Sequence, residues 1–181
     1  MIDALSQIRE TLFEKRLIIS FRTGFLLFST LFVLINILFL HISLTMKEGI
    51  AKVIALLIIE TGNIYTSFLA GRCIGFIASG IGAEGFYRYA HLEFGVKVNF
   101  RDYLTVEPKK RVILYSGAIL LEHIILLAHA VFLFAIDSYW EIPAFLLAVN
   151  LSFSYLIHRI ARTGELHRLI REIKILKSAG K

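Results

Sequence analysis

Residues 112–136 read VILYSGAILLEHIILLAHAVFLFAI, and this stretch decides how the rest of the chain is interpreted. A helix needs about 20 mostly apolar residues to cross the roughly 30 Å hydrocarbon core of a bilayer, and the stretch meets that length. Its charged or imidazole side chains are Glu122, His123 and His129. It therefore predicts a transmembrane helix that carries polar groups into the membrane.

Three further apolar stretches predict three more transmembrane helices. They cover residues 23–42, 50–71 and 140–158, and the last begins with Trp140, a residue type that favours the membrane interface. Of the 181 residues, 57% are hydrophobic and 19% are charged, whereas soluble domains carry about 25% charged residues. The sequence thus predicts an all-α integral membrane protein with four spans, and its single cysteine excludes a disulfide scaffold.

The distribution of lysine and arginine predicts the orientation, because these residues resist translocation. If both termini are inside, all but two of the 20 basic residues, Lys47 and Lys52, lie in the cytoplasm. The sequence therefore predicts a multi-pass protein of the cytoplasmic (cell) membrane with the N-in/C-in arrangement. The net charge of +6 then reflects this topology and contact with anionic lipids at the cytoplasmic face, not nucleic-acid binding.

The remaining segments flank or connect the predicted spans within one membrane domain, residues 1–181. Residues 1–21 and 164–178 predict amphipathic helices, the second of them basic. Such helices rest on the cytoplasmic membrane face or form a cytoplasmic bundle between subunits. Residues 72–111 predict a cytoplasmic connection that either begins as an extension of the second helix or breaks from it near 80–82.

A ladder of small residues follows the second span at a spacing of four. Its members are Ser67, Gly71, Gly75, Ser79 and Ala83. Small residues let helix backbones approach closely in a membrane, where lipid supplies no hydrophobic drive for association. The ladder predicts packing against a neighbouring span, or else a homo-oligomeric contact or a pore-lining face.

Each predicted span also carries a stripe of polar side chains. A rise of about 1.5 Å per residue places Glu122 and His123 near the midplane, at the height of Glu60 and Asn150. The polar side chains of four such stripes most easily find hydrogen-bond partners if the stripes face one another. The predicted polar core consists of Asn36, Glu60, Asn63, Glu122, His123 and Asn150.

Three interpretations of this polar core remain open from the sequence. The carboxyl groups could be protonated members of a static network, lie on a proton or cation path, or hold a metal ion with Glu60, Glu122 and His123 as candidate ligands. His41 and His129 lie at matching height on different spans and are candidate axial ligands of haem b. No cofactor is predicted, since neither a ferritin-like pattern nor a zinc-protease helix is present.

These features lead to three functional hypotheses. The first is a small homo-oligomeric channel or transporter that moves protons or cations through the Glu/His/Asn layer. The alternatives are a haem- or metal-binding redox subunit and a structural or accessory subunit. Enzymatic activity stays open, although the chain lacks a nucleophile elbow and a phosphate loop placed after a strand, which argues against it.

Overall fold

The computed structural model describes residues 17–88, 94–137, 139–160 and 165–179. In chain order the described elements are β1 (Leu17–Ser20), α1 (Phe21–Thr45), α2 (Ile50–Ser79), β2 (Ala83–Arg88), β3 (Phe94–Val98), α3 (Phe100–Thr105), α4 (Pro108–Ile136), α5 (Glu141–Ile160) and α6 (Glu165–Ala179). The fold is mostly helical, as predicted.

Three of the described helices, α1, α2 and α4, are long and apolar enough to cross a membrane. They contain the predicted spans 23–42, 50–71 and 112–136, so the chain has the character of a membrane protein. The fourth predicted span is also a helix, α5, but its apolar part, Glu141–Leu156, is shorter than the others. The helix is therefore confirmed, whereas its crossing of the membrane stays a prediction.

The ends of the long helices follow from local chemistry. The Ser20 side chain caps α1 by accepting a hydrogen bond from the Thr23 amide at 3.2 Å. Pro108 occupies the first turn of α4, where its missing N–H costs nothing. The α2 helix continues past residue 71 and ends where Gly80 adopts a left-handed conformation with φ of 68°. The predicted extension of the second helix is thus real as far as Ser79.

A small antiparallel sheet, not predicted from the sequence, occupies one end of the bundle, called here the sheet end. Its strand order is β1-β2-β3. The predicted amphipathic head, 1–21, therefore includes a strand over Leu17–Ser20, and its residues 1–16 lie outside the described part. Aromatic residues favour strands, and Phe86 of β2 is fully buried against Phe28 of α1.

The predicted tail helix is present as α6, and it packs on the protein. Glu165 and Glu172 are almost fully buried, and they pair with Arg72 of α2 at 2.7 Å and Arg111 of α4 at 2.9 Å. Because a buried carboxylate needs a compensating charge, these pairs fix α6 across the sheet end. The α6 helix is thus attached to the two long helices, and its contact with the membrane face stays a prediction.

The small-residue ladder packs within the chain, against α4. A Cβ added to Gly71 would lie 2.6 Å from the Gly117 carbonyl oxygen, and one added to Gly117 would lie 2.6 Å from that of Gly71. A Cβ added to Gly75 would lie 2.3 Å from the Leu114 carbonyl oxygen. The two glycines of the ladder thus pack against a neighbouring helix of the same chain, which is one of the predicted alternatives. Ala83 belongs to β2 and not to the helix.

This contact predicts different outcomes for two glycine substitutions on α2. Gly71→Ala forces the α2 and α4 backbones apart and should lower stability by about 1–3 kcal/mol. Gly62→Ala is the matched control, because its Cβ would meet only the end of the Ile35 side chain, at 3.4 Å. It should leave stability unchanged or raise it, since alanine favours helices. Unfolding of both variants in detergent tests this prediction, and equal losses would contradict it.

Candidate functional site

Four side chains form a closed hydrogen-bond network between α1, α2 and α4. His129 Nδ1 lies 2.7 Å from Glu60 Oε1, and His129 Nε2 lies 2.9 Å from Asn36 Oδ1. The Asn63 amide donates to Glu60 Oε2 at 3.3 Å and accepts from Asn36 Nδ2 at 3.2 Å. Both polar atoms of each side chain are thus bonded within this group, called here the Glu60 network.

The Asn36 amide orients the whole network. Its Nδ2 also donates to the Phe32 carbonyl at 2.7 Å, so its Oδ1 faces His129 Nε2 and can only accept. His129 Nε2 therefore carries a hydrogen. A hydrogen bond between His129 Nδ1 and Glu60 Oε1 needs one proton, which either atom can carry.

With that one proton, the contact is electrically neutral wherever the proton lies. The pair is either an imidazolium with a carboxylate or a neutral imidazole with a carboxylic acid. Transfer between the two states moves a proton over a 2.7 Å contact and leaves the other hydrogen bonds in place. The Phe39 ring stacks on His129, with centroids 3.6 Å apart and planes 4° apart, and holds the imidazole in this orientation.

A second acid–histidine pair joins α4 to α5. Glu122 Oε2 lies 2.8 Å from His158 Nε2, and the Glu122 side chain is fully buried. Within the described part of the chain, Glu122 Oε1 and Ser154 Oγ are buried without a hydrogen-bond partner. His123 contacts the His158 ring at 6.5 Å between centroids and uses its own Nδ1 to donate to the Ile119 carbonyl.

A column of polar side chains on α5 runs between the two pairs. Asn150 lines a cavity of about 10 Å³ together with Glu60, and Ser154 and His158 follow it at successive turns of about 6 Å each. The Glu60 network and the Glu122–His158 pair are about 10 Å apart along α4. The Asn150, Ser154 and His158 side chains are all buried and cover that distance.

The structure thus brings together most of the predicted polar core but divides it into two layers. Asn36, Glu60 and Asn63 belong to one layer, and Glu122 belongs to the other with His123 at its edge. The predicted single layer assumed that hydropathy marks the helix ends. The antiparallel register of α2 and α4 instead sets His129 beside Glu60, so Glu122 lies seven residues, or about 10 Å, further along α4.

Two important partners were missed by sequence analysis of the polar core. His158 is the last residue of the predicted span 140–158, and Asp137 lies between that span and the predicted span 112–136. Asp137 forms an ion pair with Lys52, and both side chains are buried. Equal spacing in the sequence is the signal that could have found this pair. Lys52 lies eight residues before Glu60 on α2, and Asp137 lies eight residues after His129 on α4. In antiparallel helices that bring Glu60 to His129, Lys52 therefore meets Asp137.

The candidate metal and haem ligands do not form a common site in the structure. Glu60 and Glu122 pair with different histidines. Among the residues that the structure describes, no group of three or more His, Cys, Asp or Glu side chains is arranged to hold a metal ion. His41 is exposed on α1, and both ring nitrogens of His129 face other partners. Haem ligation would therefore require His129 to give up one of these contacts.

Comparison with protein-family models, with curated proteins and with solved structures finds no match to this chain. The site is therefore interpreted from its own geometry.

The Glu122–His158 contact predicts strong energetic coupling between these side chains. Unfolding free energies of Glu122→Gln, His158→Gln and the double variant should give a coupling of about 1–3 kcal/mol, as for contacting residues. The control pair is Glu141→Gln with His158→Gln, because Glu141 lies at the other end of α5, about 25 Å away. That cycle should be additive, and equal coupling in both cycles would contradict the assigned pair.

Proposed function

We propose that this chain is a small membrane channel or transporter for protons. The Glu60 network and the Glu122–His158 pair are its proton-carrying groups, and the polar column of α5 connects them. The observation that carries the proposal is the 2.7 Å contact between Glu60 Oε1 and His129 Nδ1, which belong to two buried titratable side chains. A buried ionisable residue inside a membrane helix is costly, and such residues commonly belong to ion or proton pathways.

The dimensions of the site favour protons over larger cations. The cavity between Glu60 and Asn150 has a volume of about 10 Å³, which is room for about one water molecule. A hydrated metal cation needs a wider passage, and the close approach of Gly71 to Gly117 leaves none along the α2–α4 contact. A proton can pass between hydrogen-bonded groups without such space.

The proposal also covers the membrane topology, the lipid contacts and the assembly of the chain. All four apolar helices, including α5, cross the cytoplasmic membrane, and both termini face the cytoplasm. The exposed apolar surface of α1 fits contact with lipid, and the basic sheet end fits anionic headgroups. A homo-oligomeric assembly remains part of the hypothesis, but the ladder glycines do not support it, because they contact α4 of their own chain.

Proton flux into liposomes tests the proposed activity. Glu60→Gln keeps the shape of the side chain but removes the transferable proton, so it should lower flux by about 10²-fold, the scale of a positioned acid–base group. A pH-sensitive dye inside the vesicles measures the flux. Replacing potassium by choline in the buffer should not change it if protons are the species moved.

The matched controls are Glu141→Gln and His41→Gln, which remove the same chemical groups at exposed positions. Both should retain wild-type flux. Wild-type flux in Glu60→Gln, or no flux in the unmodified protein, would contradict the proposed activity.

One observation favours a second candidate function, that of a structural or accessory subunit. Every side chain of the Glu60 network is bonded within it, as expected for a static clamp between helices. In that case Glu60→Gln changes unfolding free energy and not proton flux, so both measurements on the same variant separate the two functions.

Single-cysteine labelling tests the proposed topology. The chain's only cysteine, Cys73, is fully buried, so background labelling should be low. Lys47→Cys and Tyr139→Cys should react with a membrane-impermeant maleimide from outside intact cells, whereas Lys174→Cys should react only after lysis. If Tyr139→Cys and Lys174→Cys respond alike, α5 does not cross the membrane.

A further inference from the structure

A cavity of about 220 Å³ lies at the sheet end, separate from the two glutamate–histidine pairs. It is formed by α2, α3, α4, α6 and the two strands β2 and β3. Its wall carries four basic side chains, which are Arg72, Lys97, Arg168 and Arg171. These residues come from three separate elements, so the cavity is produced by the tertiary fold and not by one basic helix.

The acidic partners of the three arginines are buried and do not line the cavity. Glu165 and Glu172 have 0% and 1% of their surface exposed, and neither lines the cavity. Arg72 pairs with Glu165 at 2.7 Å, and Arg171 pairs with Glu172 at 2.9 Å. Of the described residues that form the wall, all the charged ones are thus cations.

The ion pairs around the cavity contain more cations than carboxylates. Within the described residues, five cations share three carboxylates, since Arg111 also pairs with Glu172, Lys97 pairs with Glu84, and Arg168 is 3.8 Å from Glu165. The ion pairs therefore leave two positive charges in excess. Unbalanced positive charge in a partly enclosed cavity attracts anions.

Aromatic side chains hold the cations in place and add no negative charge. Arg168 lies over the Tyr115 ring at 5.9 Å, and Arg171 donates to the Tyr103 hydroxyl at 2.9 Å. Burial, followed by hydrogen bonds with Tyr115 and Glu172, raises the pKa of Tyr103 well above its ordinary value. Tyr103 is therefore a neutral phenol at physiological pH.

We propose that this cavity binds a phosphate group, presented either by the headgroup of an anionic phospholipid or by a soluble phosphate compound. A phosphate monoester carries about −1.5 to −2 charges at neutral pH, which matches the local excess. Arginine guanidinium groups bind phosphate oxygens through two parallel hydrogen bonds. The volume is below the roughly 300–1,000 Å³ typical of drug-sized ligand sites, so the bound group is compact.

Calorimetric titration of the purified full-length protein in neutral detergent tests this proposal. One arm uses pyrophosphate, and the other uses short-chain phosphatidic acid with phosphatidylcholine as the neutral lipid control. Saturable binding in either arm is expected, and the arm that binds identifies the source of the phosphate. Arg168→Gln should weaken that binding about tenfold, because it removes a charged hydrogen-bond donor.

The matched control is Arg159→Gln. Arg159 also lies over a tyrosine ring, that of Tyr155 at 5.6 Å, but it does not line the cavity. Its loss should leave the affinity within twofold of wild type, a ratio that corresponds to about 0.4 kcal/mol. Lys97→Gln, on β3, provides an independent second variant if Arg168→Gln does not fold, and it should also weaken binding.

Two results would overturn the proposal. One is the absence of saturable binding in both arms. The other is equal weakening by Arg159→Gln and Arg168→Gln, which would assign the binding to diffuse surface charge.

Discussion

The close approach of the α2 and α4 backbones at Gly71 and Gly117 is the constraint on which the rest of the structure depends. Only glycine permits this distance, since any Cβ would meet a carbonyl oxygen of the facing helix. The contact fixes the antiparallel register of the two helices along their whole length. That register places His129 beside Glu60 and Asp137 beside Lys52, so backbone packing at one end determines side-chain chemistry at the other.

Buried charge is the second organising element, and each buried acid is matched with a base from another helix. The described pairs join α2 to α4, α4 to α5, and α6 to both long helices. A buried ion pair contributes little net stability compared with apolar packing, but removal of one partner is costly. The pairs therefore specify which helices adjoin, while the glycine contact and the apolar core hold them together.

Much of this architecture could be predicted from the sequence, because hydropathy and residue spacing report on local structure. The three long helices, the polar stripes and the small-residue ladder can each be predicted from the residue spacing within a single helix. The pairing of Glu122 with His158, and the division of the polar core into two layers, depend on where helices begin and how they are set against each other. The sheet was missed because its strands, such as Leu17–Ser20, are short and lie beside long apolar helices.

The pairing of charges between helices has a consequence for biogenesis. The α2 helix carries Lys52, Glu60 and Arg72, of which Glu60 lies farthest from the helix ends. An unpaired charge near the centre of a lone helix costs about 2.5–3.5 kcal/mol on insertion scales. Its partners Asp137 and His129 are synthesised only after a further fifty or more residues. The interactions that offset these charges therefore become available only after α4 has been synthesised.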